Sequence, residues 1–258
     1  MRAIAAGLSD VGKQRVHNED RFILLPEFSV YVVADGMGGH QSGEVASRMA
    51  ASTIASYFRN LDGSPSSRTR LPAAGERLRA AVSHANARIF ARADDSRAHR
   101  GMGTTIVAAA FSRESGELYV AHAGDSRCYR LRGGSFEQLT RDHSLVSDAL
   151  LERPDLSPSD LAYLPKNVIT RALGIGPSVD IDLRVDRAEQ GDIYLLCSDG
   201  LHSLVSDEEI VDLLEECPVL TEACAALVEK ANAAGGKDNI TAVLIRIETD
   251  DEPWSAGR

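Results

Sequence analysis

Two strongly apolar segments, Ser-Val-Tyr-Val-Val-Ala at 29–34 and Ile-Tyr-Leu-Leu-Cys-Ser at 193–198, each run straight into Asp-Gly, at Asp35-Gly36 and Asp199-Gly200. An apolar run of this length, punctuated by Asp-Gly, reads as a buried strand that stops abruptly at the rim of a core. A carboxylate held there is rigid but costly to desolvate unless it finds a partner. The glycine after it allows a sharp turn and a close approach of backbone to a ligand. A third segment, Tyr-Val-Ala-His-Ala-Gly, ends in Asp125, and Asp238 follows Gly235-Gly236-Lys237 just before another apolar run. An acidic pair, Glu19 and Asp20, precedes the second strand. One such aspartate is ordinarily a turn residue. Four of them plus an acidic pair, if they converge, require cations between them, and an oxygen-only ligand set selects Mg²⁺ or Mn²⁺.

The remaining pattern fixes the class of fold. Strands are predicted over 3–9, 22–25, 29–34, 104–111, 117–123, 127–131, 181–185, 192–197 and 240–247. Helical spacing places Ala46, Ala50, Ile54 and Tyr57 on one face, and Leu78, Val82, Ala85 and Ile89 on another. Ser206 and Glu209 form a capping box that opens a helix with Ile210, Leu213 and Leu214 inward, and Leu220, Cys224, Leu227 and Ala231 make a fourth stripe. Strands therefore come in runs separated by pairs of helices. Without strict βαβα alternation, a layered α+β domain is favoured over a doubly wound parallel sheet. Residues 61–72 read as a surface loop, 152–165 with prolines 154, 158 and 165 as a small irregular insertion, and the polar end as a tail.

Several functions are disfavoured. A net charge of −10 over 258 residues argues against nucleic acid. No apolar stretch is long enough to cross a bilayer, and the first residues lack the apolar region of a leader, so a cytoplasmic protein is expected. The four cysteines form no CxxC pair, and Cys128 and Cys197 sit in apolar runs as buried thiols. No HExxH or Cys/His zinc spacing occurs. Gly-Gly-Lys-Asp-Asn at 235–239 is not a phosphate loop, because Ala231 stands where Gly is needed and Asp238 where Ser or Thr is needed.

Taken in order, eight motifs carry a resemblance: Arg15 with Asn18-Glu19-Asp20, Asp35-Gly-Met-Gly-Gly-His40, Gly103-Thr-Thr105, Ala123-Gly-Asp-Ser-Arg127, Asp142-His-Ser144, Ile169-Thr-Arg-Ala-Leu-Gly174, Cys197-Ser-Asp-Gly-Leu201 and Gly235-Gly-Lys-Asp-Asn-Ile240. The chain resembles the metal-dependent serine/threonine protein phosphatases of type 2C, the PPM family, and its compact bacterial-type members in particular. That resemblance implies a four-layer α-β-β-α sandwich of two antiparallel sheets flanked by helices. It implies a single catalytic domain over 1–250, a flap subdomain at about 144–178 and a tail at 251–258.

The resemblance also implies hydrolysis of phosphoserine and phosphothreonine by attack of a water bridging two Mg²⁺ or Mn²⁺ ions. Asp35 would bridge the pair with the Gly36 carbonyl on one ion, and Asp199 and Asp238 would complete the other. Glu19 and Asp20 would act mostly through water, and Asp125 with Asp199 would hold a third, weaker ion. Arg15 would clamp the substrate phosphate, which suits a planar guanidinium fork. Met37 stands where many eukaryotic relatives carry a histidine as general acid, and His40 would orient water or phosphate. His122 reads as a core histidine, and His143 as a support for the start of the flap. Phosphorylated proteins are the expected partners, with a serine/threonine kinase as antagonist and a monomer as the expected state. A catalytically silent, phosphoprotein-binding relative of the same fold is the rival, disfavoured because every expected metal aspartate is present.

Overall fold

The computed structural model describes residues 1–38, 42–62, 74–95, 99–165 and 167–250. Its elements run β1 Arg2–Asp10, β2 Asp20–Leu25, β3 Val30–Met37, α1 Ser42–Asp62, α2 Ala74–Asp94, β4 Gly103–Thr104, β5 Ile106–Ser112, β6 Glu117–Ala123, β7 Arg127–Arg132 and β8 Ser135–Gln138. They continue as α3 Leu145–Glu152, α4 Pro158–Ala162, β9 Asp182–Arg187, β10 Ile193–Cys197, α5 Asp199–His202, α6 Asp207–Glu216, α7 Leu220–Ala233 and β11 Ile240–Glu248.

The strands form two sheets, ordered β1-β11-β10-β7-β8 and β2-β3-β5-β6-β9, with β4 paired to β3. Every pairing is antiparallel. Period-two alternation then explains why the central strands are apolar on both faces. In β3, Val30, Val32 and Ala34 pack with Ile54, Leu78, Val82 and Ile89 of α1 and α2. Tyr31 and Val33 point the other way, into a core shared with Tyr194 and Leu196 of β10 and Val243 and Ile245 of β11. On the outer face of the first sheet, Leu195 and Leu244 pack with Ile210, Leu214, Leu227 and Ala231 of α6 and α7. Helices, sheet, sheet and helices are therefore stacked as four layers.

The helical stripes lie where their spacing puts them. Ala46, Ala50 and Ile54 are buried with Tyr57 half-buried, the α2 and α7 stripes are fully buried, and Leu213 alone of the α6 set is half-buried. The Ser206–Glu209 capping box is present.

Four local differences from the sequence reading have physical causes. The strand expected over 104–111 breaks at Thr105, whose N–H leaves the ladder to reach the Asp35 carbonyl at 2.8 Å. A hairpin strand, β8, follows the positive-φ pair Gly133 and Gly134. The segment 152–165 is less irregular than expected, because Ser157 and Asp160 form a capping box that starts α4 with a proline in its first turn. Between β8 and β9 the chain leaves the sheets and returns through isolated bridges at Ser144–Ile169 and Thr104–Leu173.

Candidate metal centre

The aspartates that end strands meet at one edge of the sandwich. Asp20 and Asp35 are direct partners across the β2–β3 ladder. Asp199 follows β10, and Asp238 precedes β11, its neighbour in the other sheet. The two sheets are tied together here by Asp20, whose Oδ2 accepts from Ser198 Oγ at 2.7 Å and from Thr241 Oγ1 at 2.7 Å. The carboxyl groups of Asp35 and Asp199 act on each other electrostatically across the same gap. Asp125, on the turn after β6, completes the group and acts electrostatically on Asp35 and Asp199. Arg15 Nη2 lies 2.6 Å from Asp238 Oδ2, and Glu19 senses both of them. Arg15, Glu19, Asp20, Asp35, Asp125, Asp199 and Asp238 are thus brought together, whereas His40 lies outside the described residues.

So many carboxylates in one place resist ionisation. Burial, followed by Asp20 and Asp199, pushes Asp35 well above the usual carboxylate range. Burial raises Asp20 to about 6 despite its two hydroxyl donors, and burial with the Asp199 charge raises Asp125 to about 7. Asp199 is raised by burial and then by Asp238. Glu19 is raised by burial against the opposing pull of Arg15. These are the marks of a site built for a cationic occupant. Two buried oxygens, Asp20 Oδ1 and Asp199 Oδ1, receive no N–H or hydroxyl donor among the described residues. Donor-less carboxylate oxygens in an all-oxygen set fit hard divalent cations, so the residues present fit the ions that the motifs imply.

Rigid backbone holds these groups in place. The glycines after Asp35 and Asp199 are needed because backbone approaches backbone there, rather than for a turn. A Cβ on Gly36 would stand 2.2 Å from the Gly43 carbonyl oxygen, and one on Gly200 would stand 2.0 Å from that of Asn239. Gly36 N–H donates to the Glu19 carbonyl, which also accepts from Ser47 Oγ. Thr104 Oγ1 donates to the Asp35 carbonyl at 2.8 Å, and Thr105 Oγ1 lies 2.7 Å from Ser126 Oγ beside Asp125.

Asn239 is a residue whose role the sequence reading missed. Its Oδ1 accepts from Glu19 N–H at 2.7 Å, and its Nδ2 donates to the carbonyls of Val11 and His17 at 2.9 and 3.0 Å. It fastens the loop that carries Arg15 and Glu19 to the start of β11. Its place beside Asp238 in the Gly-Gly-Lys-Asp-Asn motif was the available signal. Ser198 and Thr241 left no comparable signal, since a hydroxyl inside an apolar run usually bonds its own backbone.

Among the described residues, the group whose ligand atoms all lie within 4.8 Å of one another is a different one, His122, His143 and Asp182, beside the Gly124–Asp125 turn. The two imidazoles stack at 4.6 Å with planes 5° apart. His143 Nδ1 accepts the Gly124 N–H at 3.1 Å, which leaves its Nε2 protonated and facing Asp182 Oδ2 at 3.3 Å. Arg171 Nη1 approaches that same Nε2 at 3.3 Å. With no free lone pair on His143 and a guanidinium alongside, this cluster is a structural clasp and does not suit a cation. His122 is a core histidine, bonded through Nε2 to the Arg141 carbonyl at 2.9 Å, although its Nδ1 has no partner among the described residues. His143 joins the start of the 144–178 segment to the Asp125 turn, also through its own N–H to the Gly124 carbonyl at 2.9 Å.

Comparison with known proteins agrees with this geometry. Residues 13–243 match the family described as Protein phosphatase 2C. The chain is 38% identical over 244 residues to the serine/threonine phosphatase stp of Listeria welshimeri, covering 92% of this chain and 93% of that one. The crystal structure of the Mycobacterium tuberculosis serine/threonine phosphatase PstP/Ppp superposes with a TM-score of 0.83 at 35% identity, over 96% of this chain and 100% of that one. The catalytic domain of PstP in complex with two manganese ions superposes with a TM-score of 0.79 at 35% identity, over 96% and 99% of the two chains. With sequence, topology and strand-end carboxylates all in agreement, the chain belongs to the protein phosphatase 2C family.

Proposed function

We infer that this chain is a metal-dependent protein phosphatase that hydrolyses phosphoserine and phosphothreonine in protein substrates. The observation that carries the reading is the convergence of Asp20 and Asp35 from one sheet with Asp199 from just beyond β10 of the other, leaving buried carboxylate oxygens that have no donor among the described residues. Manganese or magnesium is the cofactor. Asp35, with the Gly36 carbonyl, and Asp199 with Asp238 would hold the pair, and Asp125 with Asp199 a third ion. Bound there, such cations supply an activated water and positive charge for the phosphoryl oxygens.

The protein's own residues do the rest. Arg15 receives the phosphate through its guanidinium, which the ion pair with Asp238 already aims along the rim of the cluster. Asp20 has one oxygen saturated by Ser198 and Thr241, so it offers only Oδ1 to the site, directly or through water. Asn239 holds Glu19 in register. Met37 cannot carry a proton to the leaving alkoxide, and a role for His40 in orienting water or phosphate belongs to this same proposal.

The segment 144–178 acts as a flap beside the site, within one catalytic domain over 1–250. Opposition to a serine/threonine kinase, a monomeric state and a cytoplasmic location complete the reading. Among the described residues no helix is long and apolar enough to cross a membrane. Manganese-dependent dephosphorylation of phosphothreonine and phosphotyrosine peptides, measured side by side, tests the assignment. Turnover of the phosphothreonine peptide that is abolished by Asp199→Asn supports it. Metal-independent turnover, or none in the unaltered protein, overturns it.

A further inference from the structure

The loop between β1 and β2 carries exposed side chains on a backbone that is fastened at Val11, Gly12, Lys13, Gln14 and His17. Asn239 Nδ2 holds the carbonyls of Val11 and His17. The N–H groups of Lys13 and Gln14 both donate to the Gly236 carbonyl, at 2.8 and 3.1 Å, and Gly12 N–H donates to Asp10 Oδ1 at 2.8 Å. Gly12 sits at φ +77°, where a Cβ would stand 2.2 Å from the Asp238 carbonyl oxygen, so the turn is closely packed as well as bonded. Loops this well determined hold their side chains ready for a partner at little entropic cost.

Two of the side chains the loop displays, Lys13 and Val16, extend into solvent. Val16 is 85% exposed, the most exposed large aliphatic side chain among the described residues, and Lys13 is exposed with no ion pair there. Arg15, between them, has its charge matched by Asp238. Residues 13–17 carry Lys13 and Arg15 and no acid, in a chain whose net charge is −10. The Lys13 and Arg15 α-carbons are at most about 7 Å apart along the chain, the span of two extended residues.

We propose that Lys13 and Val16 determine substrate sequence preference, with Lys13 taking an acidic side chain close to the phosphoresidue and Val16 an apolar one. The proposal rests on Arg15 as the phosphate clamp and extends that reading outward. Phosphate held on Arg15 brings the flanking residues of an extended peptide, spaced about 3.3 Å apart, within reach of both side chains. An exposed ion pair adds modest energy, so the effect is one of selection among phosphopeptides rather than of overall affinity.

The test is kcat/KM for phosphothreonine peptides in which Asp, Ala or Lys is scanned through the flanking positions, with Mn²⁺ present. The unaltered protein is expected to favour Asp over Lys at one position by roughly 2- to 5-fold, an advantage that shrinks with added salt. Lys13→Glu should reverse that ranking, and Val16→Asp should remove any advantage of an apolar neighbour. Both variants should hydrolyse a generic aryl phosphate at the unaltered rate. A Lys13→Glu protein that keeps the original ranking, or an unaltered protein indifferent to charge, overturns the proposal. Fluorescence anisotropy of the same peptides reads the preference even without turnover. Failure of aryl phosphate hydrolysis would therefore count against the phosphatase reading, and an unchanged binding order against the loop.

Discussion

Asp35, in β3 of one sheet, and Asp199, just after β10 of the other, act on each other electrostatically across a buried gap. Two carboxylates facing each other across a buried gap cannot both ionise cheaply. The pairing therefore stores a tension that only a proton or a cation relieves.

That tension sets the pH dependence of the metal-free protein. Asp20 moves from an ordinary 3.8 to about 6 and Asp125 to about 7, chiefly through burial. A folded-state value raised above the unfolded one contributes stability that is fully present below the unfolded value and lost as pH rises through the folded one. In chelator, the melting temperature should fall by several degrees between about pH 4 and about pH 7, at roughly 2–4 °C per kcal/mol. Saturating Mn²⁺ should shrink or reverse that fall, because it binds the deprotonated carboxylates. A flat or rising profile in chelator, measured by differential scanning fluorimetry, would contradict the electrostatic account.

Replacing Asp35 by Asn should have opposite effects on two measurements. Manganese-dependent turnover of an aryl phosphate should fall by at least about 100-fold, the scale set by losing a preorganised electrostatic group. The metal-free protein should melt higher at about pH 8 than the unaltered one, since a buried like charge is gone. A variant that loses activity and also melts lower in chelator would show that Asp35 serves mainly the fold.

Arg15→Ala should weaken phosphopeptide turnover while metal activation keeps its midpoint. The ion pair with Asp238 is substantially exposed, at 52% and 36% for the two side chains, and so adds little to stability. Unchanged steady-state kinetics would remove Arg15 from the site.

For Asp125→Ala, phosphopeptide hydrolysis should drop while the two-ion core remains occupied, as isothermal titration with Mn²⁺ would show. Full activity would reduce Asp125 to a turn residue.

Asn239→Ala removes three hydrogen bonds at once. At about 0.5–1.5 kcal/mol each, the loss of stability should be roughly 2–4 kcal/mol, read by urea denaturation. The phosphopeptide KM should rise as the Arg15 loop loosens. Asn239→Asp keeps the acceptor for Glu19 N–H but loses both donors, and should fall between the two.

Much of the molecule was legible in the residues because burial leaves a periodic trace. Val30, Val32 and Ala34 against one layer, with Tyr31 and Val33 against the other, produce the unbroken apolar run that identified β3. The helical stripes were visible for the same reason. The site aspartates showed themselves as charges at the ends of such runs, yet spacing alone could not show that they converge. Convergence depends on the sheet order, which arose from the resemblance. Contacts made through single polar atoms stayed hidden. Ser198 and Thr241 look like ordinary strand residues until Asp20 is found between them, and the Gly36–Gly43 approach has no trace beyond two glycines. The start of α4 was hidden for another reason, since the prolines at 154, 158 and 165 masked the Ser157–Asp160 capping box.

The cluster is divided between two separately wound halves of the sandwich, with Asp20 and Asp35 on one and Asp199 and Asp238 on the other. A cation pair seated there would act as a rivet, and its grip would report how well the halves are clamped. Damage deep in their shared core, at Tyr31 or Tyr194 for example, should then surface first as slackened hold on manganese, well before the chain unravels.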